Sequence, residues 1–312
     1  MSSRIRPASR SQAKPLIGLY SESGCGKTYS ALLLARGFVG SSGRICMIET
    51  ESGRGESYGD KNEYPEIGGY DVLSLRDNFS PIEYGKAISE VEAGKYNALI
   101  IDSASHEWEG AGGVLDQASE NAKTKKGLLV WQEPKINHQK HFMLKFMQTP
   151  IPLVILCMRA KYPMVEVWNE EKRKKEPQRS KELEPKQSED ILFEMFVHAW
   201  VDKSHALHPT KITGKGLNSV FKEGEKITLS TGQQLAEWAK SSSTIPVEKT
   251  PEQLMAARIG QAIKLETTIE GLSNIFEVDF KDDLETIKKA SATAYQYLVD
   301  LAEARKSAIA SE

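Results

Sequence analysis

The sequence predicts an α/β fold: a mainly parallel sheet flanked by helices, followed by a small C-terminal helical appendage. Three observations lead there. Between residues 16 and 158, short apolar runs alternate with longer amphipathic stretches, the order that builds βαβ units. Two of those runs, Ala98-Leu99-Ile100-Ile101 and Leu153-Val154-Ile155-Leu156-Cys157-Met158, are apolar without alternation, as strands buried on both faces are. A Ser/Thr/Pro-rich stretch at 241–251 then separates a terminal region with helical periodicity.

Taken in order, residues 1–14 carry Arg4, Arg6, Arg10 and Lys14 with no acidic residue and no apolar stretch behind them. They read as a basic disordered tail, with nucleic-acid contact as the second use. Strands are expected at 16–20, 45–49, 71–75, 98–102 and 153–158, and helices at 28–39, 81–93, 106–122 and 134–148. Residues 160–190 interleave Lys172, Arg173, Lys174, Lys175 and Arg179 with Glu166, Glu170, Glu171 and Glu176. Nothing there builds a core, so a long charged loop or hairpin is expected. Strand-like sequence resumes at 193–201, 211–214 and 225–230, and Ser230 with Gln233 has the spacing of a capping box for a helix carrying Leu235 and Trp238. The core thus runs over 15–240. After the 241–251 linker, Thr250, Pro251 and Gln253 repeat the capping pattern with proline at the first helical position. They open a two-helix hairpin at 252–312, whose second helix, 281–307, aligns Leu284, Ile287, Ala294, Leu298 and Leu301.

Composition bounds the function. At 312 residues the chain buries roughly three quarters of the surface its unfolded form exposes, so it needs no disulfide or metal staple. Lys and Arg number 41 against 43 Asp and Glu, a formal charge of −2. That balance excludes a polycation coating nucleic acid over its whole surface and an acidic solvating tail, and leaves room for a local basic patch. The longest apolar run, 151–158, falls far short of the ~20 residues a membrane helix needs, so a soluble chain with no membrane partner is expected. Cys25, Cys46 and Cys157 lie far apart and form no CxxC pair. Neither a disulfide framework nor a zinc site is expected, and a reducing cytoplasm is the natural setting.

The segment richest in chemistry begins with the run at 16–20, which enters Ser21-Glu22-Ser23-Gly24-Cys25-Gly26-Lys27-Thr28 and then a helix-forming stretch. Small residues let successive backbone N–H groups converge on a phosphate, and the helix N-terminus adds partial positive charge. The pattern is GxxxxGK[ST] with Ser21 in place of the first glycine. The expected nucleotide-binding residues are Ser23, Gly24, Cys25, Gly26, Lys27, Thr28 and Tyr29. Lys27 reaches the β- and γ-phosphates of ATP, and the Thr28 hydroxyl ligates Mg²⁺. A second piece, Asn97-Ala98-Leu99-Ile100-Ile101-Asp102-Ser103, is an apolar strand ending in a carboxylate and resembles the Walker B pattern. Asp102 therefore joins Thr28 at the metal. His106 and His138 are assigned no chemistry, and no motif separates ATP from GTP.

Position 103 is serine, whereas AAA+ enzymes follow the Walker B aspartate with a glutamate that polarises water. Ile45-Cys46-Met47-Ile48-Glu49-Thr50-Glu51 resembles the strand end of RecA and its eukaryotic and archaeal relatives, where an acid, a small residue and a glutamate sit beside the phosphate loop. That resemblance implies Glu51 as general base and Glu49 as its supporting carboxylate. More widely, GKTYSALLLA, WQEPKINHQKHFM, VILCMRAKY, SEDILFEM and KITGKG running to GQQLAEWA resemble the phage-encoded AAA-type ATPases with a RecA-like core found among recombination and single-strand-annealing genes. The likeness spans about residues 14–240 and implies a RecA-like P-loop core. RecA-type enzymes end the strand that feels the γ-phosphate in an Asn-Gln pair. Here Cys157-Met158-Arg159-Ala160-Lys161 stands there, so Arg159 or Lys161 is expected to act as sensor, in cis or from a neighbouring subunit.

The resemblance implies an Mg²⁺-dependent ATP hydrolase that binds or anneals single-stranded DNA under ATP control, as a homo-oligomeric ring or filament in a bacterial host cytoplasm. The 160–190 segment follows the sensor strand, with Lys172 and its basic neighbours for phosphates and Tyr162 or Trp168 for stacking on bases; a solvated hairpin without ligand is the alternative. The C-terminal helices serve assembly or a replication or recombination partner, or pack on the core. A nucleotide-gated binding module with little turnover is the alternative function. A small-molecule P-loop kinase fits less well, because the glutamates of 160–190 make a poor lid.

Overall fold

Residues 13–170, 172–240 and 251–310 are described by a computed structural model. The chain divides into two compact units, Met1–Ser242 and Ser243–Glu312. In the first, an eight-stranded sheet is built from β1 (Leu16–Ser21), β2 (Ile45–Glu49), β3 (Asp71–Ser74), β4 (Ala98–Asp102), β5 (Leu153–Lys161), the short β8 (Glu184–Pro185), β9 (Val197–Val201) and β10 (Leu207–Ile212). Its order is β10-β9-β1-β5-β4-β2-β3, parallel from β9 to β3, with β10 antiparallel on β9 and β8 antiparallel on β5. Insertion of β5 between β1 and β4 brings the ends of these three strands to one edge, where ligands of open α/β sheets bind.

Both sheet faces are covered, which is why the inner strands β1, β4 and β5 read as nearly unbroken apolar runs. Ile17 and Leu19 of β1 pack into one cluster with α1 (Lys27–Val39) and α8 (Leu229–Lys240). Leu16 and Tyr20 face the other cluster, with α2 (Pro81–Ala93), the π-helical turn His138–Met143 and Phe146 of α6 (Leu144–Gln148). Where α1 meets α8, Gly37 and Gly232 approach so closely that a Cβ on Gly37 would lie 2.1 Å from the Leu229 carbonyl oxygen. The segment between β5 and β8 is a two-stranded hairpin, β6 (Met164–Asn169) and β7 (Lys174–Arg179), the second of the forms expected for 160–190.

Several expectations are corrected. The helix expected at 106–122 is two, α3 (Ser105–Glu109) and α4 (Val114–Asn121), broken by Gly110-Ala111-Gly112-Gly113, where Gly112 adopts φ +76°. The helix expected from 134 starts at Leu129 as α5 (Leu129–Asn137), with Pro134 inside it. Proline has no N–H for the Val130 carbonyl; the Asn121 side-chain amide donates to that oxygen instead, at 3.2 Å. Residues 225–228 form no strand but lead into α8, whose cap is Thr228 paired reciprocally with Thr231 (3.1 and 3.4 Å), not Ser230 with Gln233. Lys14 is not part of a free tail: its ammonium donates to the Thr149 carbonyl at 2.6 Å. The rest of that tail, residues 1–12, and the linker stretch 241–250 with the Thr250 cap lie outside the described residues.

Among its described residues the second unit has four α-helices where a two-helix hairpin was expected: α9 (Pro251–Leu265), α10 (Ile269–Asn274), α11 (Lys281–Ala290) and α12 (Ala292–Ile309). The single periodic stretch 281–307 breaks at Ser291, whose extended backbone and hydroxyl cap α12 by accepting from the Ala294 N–H at 3.2 Å. Ile259, Ile263, Leu272, Leu284, Ile287 and Leu298 form its core.

Candidate nucleotide-binding site

Between the end of β1 and the start of α1, Gly24 and Gly26 both adopt φ +84°, a left-handed conformation that side chains strain. Ser21, in place of the motif's first glycine, is the last residue of β1 and is not left-handed, so serine fits there without strain. Its buried hydroxyl is also useful: Lys27 Nζ donates to Ser21 Oγ at 3.0 Å and to the carbonyls of Ser21 and Glu22 at 3.3 and 3.2 Å. These neutral acceptors hold the ammonium at the mouth of the loop, ready to exchange them for charged phosphate oxygens.

Beside the loop, Thr28 Oγ1 donates to Asp102 Oδ2 at 2.5 Å. Asp102 is 4% exposed, and burial pushes its carboxyl up to about 6. The Thr28 bond and Lys27 oppose that rise, while Glu51 and Glu49 add to it. A hydroxyl next to a desolvated carboxylate short of positive charge is a donor set that fits Mg²⁺, which takes one or two protein oxygens and completes its shell with water and phosphate. Among the described residues no cluster of three His, Cys, Asp or Glu side chains is arranged to hold a metal alone.

Parallel pairing of β2 with β4 sets Glu49 opposite Asp102. Glu49 is fully buried; its carboxylate accepts from the backbone N–H of Glu51 (2.7 Å) and Gly53 (3.1 Å) and pairs with Arg76 at 2.9 Å. It thereby shapes the turn that presents Glu51 toward the phosphate loop. Glu51 in turn is held by Arg159 Nε at 2.9 Å and Arg54 at 3.4 Å.

Ser21, Lys27, Thr28, Glu51, Arg54, Asp102 and Arg159 line one cavity of about 870 Å³. Lys27, Arg54, Arg159, Lys186 and Lys226 bring five cations to it against the carboxylates of Glu51 and Asp102, the balance that a triphosphate complements. Tyr29, Tyr58 and Tyr64 form an aromatic wall with ring centroids 5.2 to 6.0 Å apart, a surface suited to a flat heterocycle. The Tyr29 hydroxyl donates to Glu66 at 2.6 Å, and that carboxylate pushes the phenol up to about 12.

The predicted residues Ser23, Gly24, Gly26, Lys27, Thr28, Tyr29, Glu51, Asp102 and Arg159 therefore meet in one place. Cys25 belongs to the same loop, but its side chain is buried, as are the other two free cysteines. Lys161 does not reach the cavity: two residues beyond Arg159 on an extended strand, it lies past the site, exposed and opposite Glu184 in the backbone register of β5 and β8. Lys186, which no motif marks, is there instead, its backbone N–H donating to the Arg159 carbonyl at 2.7 Å. Tyr58, Tyr64, His205 and Lys226 are likewise invisible to local patterns. His106 bonds Thr50 Oγ1 at 2.8 Å, and His138 is buried against Glu107 at 3.0 Å, away from the cavity lining.

Residues 13–196 match the sequence profile described as an AAA domain. This chain belongs to the AAA domain family. The matched stretch of the AAA domain contains the phosphate loop, the Glu49–Glu51 turn, Asp102 and Arg159, and with the sheet described above it gives the chain a RecA-like P-loop core. Among solved structures, seventeen chains match. One is a prototypical ATPase from the type III secretion system of pathogenic bacteria, 14% identical, over 91% of this chain and 73% of that one, with a TM-score of 0.33. No curated protein matches the AAA-domain chain. No described helix is long and apolar enough to cross a membrane.

Proposed function

We propose that this chain binds and hydrolyses Mg·ATP and uses the nucleotide state to control contact with single-stranded DNA, as a phage recombination or annealing protein working in the host cytoplasm. The observation that carries the nucleotide reading is the Thr28–Asp102 hydrogen bond at the foot of a cavity that also holds Lys27, Glu51 and Arg159. When bound, the nucleotide would supply the phosphoanhydride, and Mg²⁺ held by Thr28 and Asp102 would supply positive charge for the phosphate oxygens. Gly24, Gly26 and the start of α1 present backbone N–H groups, and Lys27 binds the terminal phosphates. Thr28 and Asp102 hold the cation. Glu51 orients a water and accepts its proton, and Arg159 with Lys186 stabilises charge on the γ-phosphate.

The DNA part rests on the β6–β7 hairpin, which follows Arg159 along β5. Met164 and Trp168 are exposed there, and alternation puts them on one face with Lys175 and Arg179. Lys172, Lys174 and Lys175 are paired with Glu176 or Glu166 at 2.9 to 3.9 Å, so stacking on Trp168 carries more of this contact than phosphate neutralisation. We further read the chain as a ring- or filament-forming homo-oligomer, with the C-terminal helices available to a replication or recombination partner. A second reading, a nucleotide-gated module with little turnover, is favoured by one observation: Glu51 is engaged by two arginines. ATP hydrolysis measured with and without single-stranded DNA, in wild type and Lys27→Ala, separates them. Stimulated turnover abolished by the variant supports the first; nucleotide binding without turnover supports the second.

A further inference from the structure

The turn between β9 and β10 lies 180 residues beyond the phosphate loop and touches it: His205 Nδ1 is 2.9 Å from the Cys25 carbonyl oxygen. A carbonyl only accepts, so Nδ1 carries the proton. The same ring occupies the space over Gly26, where an added Cβ would lie 2.7 Å from Nδ1. The turn is itself firmly built. Asp202 Oδ1 accepts from the Ser204 N–H (2.8 Å), the Ser204 hydroxyl (2.7 Å) and the Ala206 N–H (2.9 Å), while Oδ2 pairs with His208 Nε2 at 3.0 Å. It holds His205 at φ +66°, a conformation that a residue other than glycine keeps only when its surroundings over-determine it. The imidazole also forms part of the cavity wall.

A trans peptide points its C=O and N–H to opposite sides. With the Cys25 carbonyl tied to the imidazole, the Gly26 N–H is turned away from His205. With glycine on its C-terminal side, this peptide meets reduced steric resistance to flipping, and a flipped unit would offer an oxygen where the loop needs a donor. We propose that His205 is a positioning residue of the nucleotide site: it fixes the Cys25–Gly26 peptide in its anion-binding orientation, which makes the β9–β10 turn a working part of the phosphate loop for nucleoside di- and triphosphates. The inference rests on the nucleotide-binding reading above. Because the loop is ordered before the ligand arrives, the effect falls on affinity, not on the chemical step.

The test compares the full-length wild type with His205→Ala, His205→Asn and Lys27→Ala, using calorimetric titration with Mg·ADP, thermal melting without nucleotide, and steady-state ATP hydrolysis. Loss of one hydrogen bond and of loop order predicts about tenfold weaker Mg·ADP binding and a similarly raised KM for His205→Ala, with kcat within about twofold. His205→Asn, whose side-chain amide places a donor near the Nδ1 position, recovers most of the affinity. Wild-type affinity in His205→Ala overturns the proposal, as does an affinity loss that Asn leaves uncorrected while restoring the melting temperature. Failure of the wild type itself to bind Mg·ADP overturns the nucleotide reading, so the two failures are distinguishable.

Discussion

Replacing Asp102 by Asn keeps the side chain's shape and an acceptor for the Thr28 hydroxyl but removes the buried charge. In the folded protein the Asp102 carboxyl is raised from 3.8 to about 6, chiefly by burial. The folded state therefore holds this proton more tightly than the unfolded state, and the contribution of Asp102 to stability falls as pH rises from about 4 through 6. The separation corresponds to a destabilisation on the order of 3 kcal/mol at pH 8 and roughly half that at pH 5. Asp102→Asn should thus be more stable than wild type in urea denaturation with EDTA present, by those two amounts. With Mg·ADP at about 100 times its dissociation constant, wild type gains about 2.7 kcal/mol, while the variant gains little. A gap of the same size at both pH values, or none, refutes the desolvation argument. Equal stabilisation of both proteins by Mg·ADP refutes Asp102 as a metal-site residue.

Glu51→Gln is expected to lower turnover by about 100-fold or more while Mg·ADP binds within about threefold of wild type, because the lost group acts on the attacking water; unchanged turnover would remove Glu51 as the base. Trp168→Ala should weaken single-stranded DNA binding by about tenfold in fluorescence anisotropy and leave DNA-independent hydrolysis untouched. His198, stacked on Tyr20 with ring centroids 4.5 Å apart, is pushed down to about 4 by burial. Its neutral form is the folded one, so its contribution is complete above the ordinary histidine pKa of about 6.5 and is lost as pH falls toward 4, by about 3 kcal/mol in all. Wild type should therefore lose stability relative to His198→Gln over that range in urea denaturation, and parallel profiles would contradict the assignment.

What is legible in the sequence is what depends on neighbours along the chain. The strands 16–20, 45–49, 98–102 and 153–158 stand out because burial on both faces favours near-continuous apolar runs, and the phosphate loop because its glycines and Lys27 sit within eight residues. Elements set by distant contacts are not legible in this way. Pro134 reads as a helix start, since only the fold shows that Asn121 satisfies the carbonyl it leaves free. Thr228 rather than Ser230 caps α8, in the same turn of chain that brings Gly232 against Gly37 of α1. At the site, Asp102 and Glu51 announce themselves at strand ends. Tyr64, Lys186, His205 and Lys226 reach the same cavity from loops whose sequences carry no pattern, because what selects them is where the sheet order returns the chain.

That sheet order also gives the proposed ATP control a short route. Arg159 has one guanidinium group, and its Nε is committed to Glu51. A γ-phosphate would carry more charge than the carboxylate and would enter a cavity lined by five cations, so under the proposed function it would compete for the same arginine and free Glu51 to act on water. Arg159 is also the last residue of β5 before the β5–β8 pairing of Ala160 with Pro185 and Lys161 with Glu184. This pairing clamps both ends of the segment that forms the β6–β7 hairpin, and Lys186, immediately after it, donates its backbone N–H to the Arg159 carbonyl and its ammonium to Glu109 at 3.2 Å. The hairpin thus leaves and re-enters the fold at two residues that line the nucleotide cavity. Under the proposed function, a shift of Arg159 or Lys186 toward phosphate would act on both roots of the hairpin together, with no relay through the core.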